Sequence, residues 1–190
     1  MELLKERILL DGIKIGTEIV KVDSFLNHQI DTKLLEQIAV EFKRRFQHLQ
    51  VDKILTIEAS GIAIACITSL CFSNAPVIFA RKVASATMTD AYYGAQVRSF
   101  TKKTCSVVKV SKRFINKGDR ILIIDDFLAH GEAASGLCEI VEQAGASVAG
   151  IGIVIEKRFQ GGGARIREKG YLLHSLAVIE KITDGEIIFA

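Results

Sequence analysis

At 190 residues and 49% hydrophobic content, with few aromatics and no Trp, the chain has length for one self-sufficient α/β core. A net charge of +3, with basic residues scattered apart from 102–103, 109–113 and 157–158, shows no broad nucleic-acid face and suits a small anionic ligand better than DNA. No apolar run approaches the roughly 20 residues of a membrane span, and the opening M-E-L-L-K-E-R-I-L-L lacks a secretory layout, so a cytoplasmic protein is expected.

That opening reads as an amphipathic helix to about residue 11, and Val20 to Phe25 as a short strand or extended loop. Asp31 is a good N-cap for a long helix to about Leu49, with Leu34, Leu35, Ile38, Phe42 and Phe46 at three- and four-residue spacing. Lys53 to Ile57 reads as the first core strand, followed by the turn Glu58-Ala59-Ser60-Gly61 and an apolar helix to Leu70. Pro76 leads into a strand over Val77 to Ala80, closed by Arg81-Lys82. The weakly periodic stretch Ala84 to Thr101 reads as a mobile loop in which Tyr92 to Val97 can form a hairpin arm, and Ser106 to Val110 as a strand. Cys66, Cys71, Cys105 and Cys138 form no C-x-x-C pair and have no histidine at zinc-finger spacing, which argues against a structural metal.

The run I-L-I-I-D-D-F-L-A-H-G-E-A-A-S over 121–135 carries the most chemical information. Four consecutive apolar residues predict a strand over 121–125, buried on both faces, that delivers Asp125 and Asp126 to the sheet edge where open α/β folds bind ligands. Ala129 to Ala133 then opens a helix whose free N–H groups and positive dipole end favour a phosphate. Two carboxylates beside an anion cradle suit a ligand with both hydroxyls and phosphate, such as a phosphorylated sugar. The same acids also fit a receiver-type signalling domain or plain helix capping. The helix is predicted to run to about Ala144 with Gly145 as its C-cap, and Ser147 to Ile155 to be another buried strand. Gly161-Gly162-Gly163 reads as flexible punctuation before a last helix and strands near Leu173 to Val178 and Glu186 to Phe189. Alternating strands and helices predict a doubly wound, mostly parallel sheet. In it four polar strand ends, at 58–61, 81–82, 125–126 and 156–158, share one edge.

These segments resemble the type I phosphoribosyltransferases, whose signature is an apolar strand, two acids and a phosphate loop. E-A-S-G at 58–61 resembles the pyrophosphate-binding turn of the purine enzymes, and V-I-F-A-R-K at 77–82 the strand before their mobile loop. K-V-D-S-F-L-N-H-Q-I-D at 21–31, the 121–129 segment and G-A-S-V-A-G-I-G-I-V-I-E-K at 145–157 resemble the xanthine-specific bacterial branch of that family. The resemblance spans nearly the whole chain. It implies one phosphoribosyltransferase domain with a core over about 33–157 and a hood from about 1–32 and 158–190. It implies a homodimer of purine salvage that joins xanthine to 5-phosphoribosyl 1-diphosphate, with Mg²⁺ carried by the diphosphate and no metal ligated directly by the protein.

The resemblance also implies roles. Asp125 and Asp126 serve the ribose 2′- and 3′-hydroxyls. Ala129, His130, Gly131, Glu132 and Ala133 hold the 5′-phosphate. Ala59, Ser60 and Gly61 give backbone donors to pyrophosphate, whose charge Arg81 and Lys82 neutralise. Val20, Asn27 and Lys157 form the xanthine site, with Lys157 near the 6-oxo group and Asn27 available to the 2-oxo group. Without the resemblance Asn27 reads as an Asx-turn residue, and Phe127 stacks on the base or merely packs in the core. The loop departs from the family's usual Thr-Gly-Gly-Thr and from the Asn-Gly-Gln-Ala of the xanthine enzymes: here it is His130-Gly131-Glu132-Ala133, with an extra acid beside the expected phosphate. The rivals are the same chemistry on guanine, hypoxanthine or adenine, or a non-catalytic regulator sensing the diphosphate. The length leaves no room for an added DNA-binding domain.

Overall fold

The computed structural model describes residues 1–82, 91–99 and 104–190. Helix α1 (Glu2–Asp11) leads to a small hairpin of β1 (Ile13–Ile15) and β2 (Ile19–Lys21), a π-helical turn over Asp23–Asn27, and α2 (Thr32–Arg45). The Asp31 carboxylate accepts the Leu34 N–H at 3.1 Å, so the predicted N-cap is present. The α2 helix ends before Leu49, yet all five periodic apolar residues of the prediction are buried. The 20–25 segment is a strand that closes into a π turn, not a single extended piece.

Strands β3 (Lys53–Ile57), β4 (Val77–Ala80), β7 (Arg120–Leu128), β8 (Ser147–Lys157), β9 (Leu173–Ile182) and β10 (Ile187–Phe189) form one sheet in the order β10-β9-β8-β7-β3-β4. All neighbours are parallel except β10 with β9, so the mostly parallel doubly wound sheet is present. Helices α3 (Ser60–Cys71) and α4 (Glu132–Gln143) connect it. Along β7 the side chains alternate: Leu122 and Ile124 pack into a cluster with α2 and α3, Ile121 and Ile123 into another with α4. That alternation is why four consecutive apolar residues are needed in a strand covered by helices on both faces. The first cluster also takes in Leu4, Ile8, Val20, Val22, Phe25 and Leu26, which joins the N-terminal segments to Ile179, Ile182 and Ile187.

Strands β5 (Tyr92–Ser99) and β6 (Thr104–Ser111) pair antiparallel in a separate hairpin, so the hairpin-arm reading of Tyr92–Val97 holds. Residues 84–90 and 100–101 of the loop expected over Ala84 to Thr101 lie outside the described residues. Among the described residues no helix is long and apolar enough to cross a membrane.

Candidate active site

The chain runs from β3 outward to β4, then returns to place β7 on the other flank of β3, so the strand order reverses between β3 and β7. In open α/β sheets such a reversal opens a crevice at the carboxyl ends of the two strands. Here the opening is visible in the pairing. The β3–β7 register runs from Lys53↔Ile121 to Leu55↔Ile123 and stops, whereas β7 stays paired to β8 as far as Leu128↔Glu156. Strand β7 therefore outlasts the predicted 121–125 span. Asp125 and Asp126 lie within its last residues, in the part that has parted from β3.

Both acids are nearly buried, Asp125 at 3% and Asp126 at 9% exposure. The Asp126 N–H donates to Asp125 Oδ1 at 3.0 Å. Burial, and next the Asp126 charge beside it, hold the Asp125 carboxyl well above the usual carboxylate range. Gly61 stands against this pair: a Cβ there would lie 3.0 Å from Asp125 Oδ1 and 2.0 Å from Thr56 Oγ1. The Thr56 hydroxyl is fully buried with no hydrogen-bond partner in the structure. A buried strand threonine carries no such signal in sequence.

Past the acids, Ala129 and His130 lead to Gly131, which sits at φ +82° as the N-cap of α4. A backbone in the left-handed region is open to glycine at little cost. Glu132 and Ala133, predicted as loop, are the first two residues of the helix. Their N–H groups are among those left without an intrahelical partner, so the stretch 129–133, expected to be a loop, is half loop and half first helical turn. The Glu132 carboxylate belongs to that same first turn.

On the β3 side, Ala59 is exposed, Ser60 half-buried and Gly61 buried, at the mouth of α3. The Glu58–Ala59 peptide is cis. The Glu58 carboxylate accepts the Lys82 N–H at 2.7 Å and lies 3.8 Å from Arg81 Nε. It thereby ties the end of β4 to the end of β3, a link with no signal in the sequence. Arg81 also borders a cavity of about 520 Å³ lined by Lys53, Val77, Phe79, Lys109 and Phe114. That cavity lies along β4 and β6, outside the crevice and away from the acids.

The base-side candidates meet in part. Lys157 Nζ donates to the Glu18 carbonyl at 2.8 Å and lies 5.5 Å from the Phe127 ring centroid. Burial pushes its ammonium below the usual lysine range, and the Glu18 charge pulls it partly back. The hairpin that contains buried Val20 is thus latched to the end of β8. Phe127 is half-buried and packs against the first core cluster. Asn27 ends the π turn and is exposed, and no described contact joins it to Lys157 or Phe127.

One predicted strand end is corrected. Glu156 does not face the ligand edge: it is fully buried, its two oxygens accept from Arg167 at 3.0 and 2.9 Å, and Ser175 Oγ donates at 2.5 Å. Arg158 pairs with Glu180 at 2.8 Å. Among the described residues no group of three or more His, Cys, Asp or Glu is placed to hold a metal ion.

A phosphoribosyl transferase domain model matches residues 21–172. Xanthine phosphoribosyltransferases of Clostridium novyi (strain NT) and Clostridioides difficile (strain 630) are each 55% identical over 189 residues, covering 100% of this chain and 99% and 100% of theirs. Among solved structures, adenine phosphoribosyltransferase from Saccharomyces cerevisiae superposes with a TM-score of 0.74 at 18% identity, covering 93% of this chain and 99% of that one. The adenine enzyme of Rhodothermus marinus DSM 4252 gives 0.73 at 23%, covering 94% and 97%. At those identities the structural likeness speaks for the fold. With the domain match and the end-to-end relatives, it means that the chain belongs to the phosphoribosyltransferase family.

Proposed function

We propose that the β3–β7 crevice transfers the 5-phosphoribosyl group from 5-phosphoribosyl 1-diphosphate to xanthine, giving xanthosine 5′-monophosphate and diphosphate. The observation that carries this reading is the buried Asp125–Asp126 pair, set one loop before an open helix N-terminus. Such a pair costs stability in the empty protein, and a sugar diol donating two O–H groups relieves that cost. A free phosphate alone would not.

In the transfer, the C1′–diphosphate bond breaks with its electron pair leaving on the diphosphate, and a purine nitrogen forms the new bond as its proton passes to water or to the released diphosphate. The sugar passes through an oxocarbenium-like state of the kind known from glycoside cleavage. The two aspartates hold the 2′- and 3′-hydroxyls and place negative charge near the developing cation. Backbone N–H groups over 129–133 hold the 5′-phosphate, with His130 at the loop's centre and Glu132 in the first turn of α4. Backbone N–H groups of Ala59, Ser60 and Gly61 receive the leaving diphosphate, and Arg81 and Lys82 neutralise its charge; preorganised donors of this type are commonly the largest catalytic contribution. Asp125 and Asp126 offer hard oxygen donors but too few for a complete protein cage, which fits Mg²⁺ arriving on the diphosphate and keeping water and substrate ligands. When bound there, the ion supplies charge neutralisation for the leaving group.

On the base side, Lys157, latched over Phe127, donates to the 6-oxo group, and Asn27 supplies a donor to the 2-oxo group once the base is seated. A donor at the 6-position leaves adenine's amine unmatched. The segments near 1–32 and 158–190 act as the hood over this base. The protein works as a cytoplasmic homodimer. The test mixes it with 5-phosphoribosyl 1-diphosphate, Mg²⁺ and, separately, xanthine, guanine, hypoxanthine and adenine. Preferential formation of xanthosine monophosphate is expected. Preference for another base would move the specificity, and no nucleotide from any base would overturn the reaction.

A further inference from the structure

The proposed chemistry leaves unused a cluster directly behind the phosphate loop. Helix α5 (Gly162–Glu168) begins with Gly162 and Gly163, both buried. Gly162 N–H donates to the Ala129 carbonyl at 3.0 Å, and the Arg165 guanidinium donates to the His130 carbonyl. Contact between the two backbones is close. A Cβ on Gly162 would lie 2.3 Å from the Ala129 oxygen and 2.6 Å from the Gly131 nitrogen; one on Gly131 would lie 3.2 Å from the Gly162 Cα.

Helix α5 is itself clamped. Glu156, at the end of β8, grips Arg167 with both oxygens and takes the Ser175 hydroxyl from β9. A Cβ on Gly163 would fall 1.9 Å from Glu156 Oε1, so the helix seats on that carboxylate with no side chain between. Burial pushes the Glu156 carboxyl up, and the Arg167 and Ser175 hydrogen bonds more than reverse this, leaving it below its usual range and charged.

The consequence follows from the planar trans peptide, in which C=O and N–H point to opposite sides. The carbonyls of Ala129 and His130 both turn toward α5. The N–H groups that share those two peptide planes, on His130 and Gly131, therefore turn away from α5. We infer that α5 is a positioning element for the phosphate loop: Gly162 and Arg165 fix two carbonyls and so aim two N–H donors, while Glu156 and Arg167 hold the helix in register. This rests on the proposal that the loop takes the 5′-phosphate. Nothing in α5 need touch substrate.

The test uses the full chain and two probes, titrated calorimetrically: ribose 5-phosphate, which carries the phosphomonoester, and inorganic pyrophosphate with Mg²⁺, which does not need this loop. Arg165 is exposed, so Arg165→Ala should fold and melt as the parent does. It should weaken ribose 5-phosphate about 5- to 10-fold, as expected for one lost hydrogen bond to a positioned carbonyl, with pyrophosphate changed less than about twofold. Gly162→Ala, which forces the loop to move, should cost more than about 20-fold on the same probe. The Arg165→Ala loss should be the same near 50 mM and near 500 mM salt, because a direct guanidinium–phosphate attraction would be screened over that range.

Unchanged ribose 5-phosphate affinity in Arg165→Ala would overturn the inference, as would equal loss of both probes or a loss that vanishes at high salt. If the parent binds ribose 5-phosphate but forms no nucleotide from any purine, the reaction reading fails while the positioning role stands. If the parent does not bind ribose 5-phosphate, both fail.

Discussion

Adjacent parallel strands each carry buried acid near the carboxyl end, and the two sites have opposite characters. On β8, Glu156 is matched by two guanidinium nitrogens and a hydroxyl. On β7, Asp125 and Asp126 have each other, one backbone N–H and, among the described residues, the lesser pull of the Lys82 charge. The saturated acid is pulled below its usual titration range and serves the fold; the crowded pair, with Asp125 pushed above its range, is the one proposed to take a ligand. Burial alone does not mark a functional carboxylate. What marks a candidate is burial with too little compensation, which a ligand can complete.

The sharpest way to break this contrast is to remove charge from each side. Asp125→Asn with Asp126→Asn should lower turnover by about 100- to 1,000-fold, the scale of a lost preorganised electrostatic contact. Near-normal rates of nucleotide formation in the double variant would contradict the assigned role. Glu156→Gln should instead act on stability. The lost pair should cost about 1–3 kcal/mol, less than a fully buried pair because the Arg167 side chain is 44% exposed. That is a Tm lower by roughly 3–10 °C in a chain of this size, read by thermal unfolding of the ligand-free protein.

A third variant sharpens the base side. Asn27→Ala should raise the KM for xanthine by at least about 10-fold, the scale of a lost donor to a buried carbonyl, while that for the diphosphate moves less than about twofold. Equal changes in both would count against Asn27 as a base contact.

The smallest effect is in pH dependence, and the two sites should give opposite signs. Asp125 has a folded value raised above 3.8, so its contribution to stability is full below that pH and is lost as pH rises through the folded value. Glu156 has a folded value lowered from 4.5, so its contribution is present above that pH and lost as pH falls. Asp125→Asn should therefore flatten the first slope and raise the Tm at neutral pH by about 2–4 °C, equivalent to roughly 1 kcal/mol. Glu156→Gln should flatten the second.

Much of this was legible in the residues. Lys53–Ile57 and Val77–Ala80 have the strand bounds that the sequence reading assigned, because short apolar runs flanked by polar turns leave little choice of register. The acid pair and its loop could be read for the same reason. Glu156 was misplaced because a strand that ends E-K-R looks the same whether its acid meets a ligand or an arginine 11 residues downstream. A run of three glycines at 161–163 predicts flexibility, yet Gly162 and Gly163 are buried where backbones touch. A glycine that yields space to a distant loop gives no local signal of doing so. The hairpin of Ile13–Ile15 with Ile19–Lys21 was too short to declare itself.

The β7 aspartates are only weakly compensated in the empty protein, and the sugar diol is proposed as their missing partner. One calorimetric titration tests it most directly: 5-phosphoribosyl 1-diphosphate with Mg²⁺ into the parent and into Asp125→Asn/Asp126→Asn, with both melting curves alongside. The account predicts that the double variant melts higher than the parent and binds at least about 10-fold more weakly, the scale of one to two lost hydrogen bonds to charged groups. A variant that keeps the parent's affinity would contradict it.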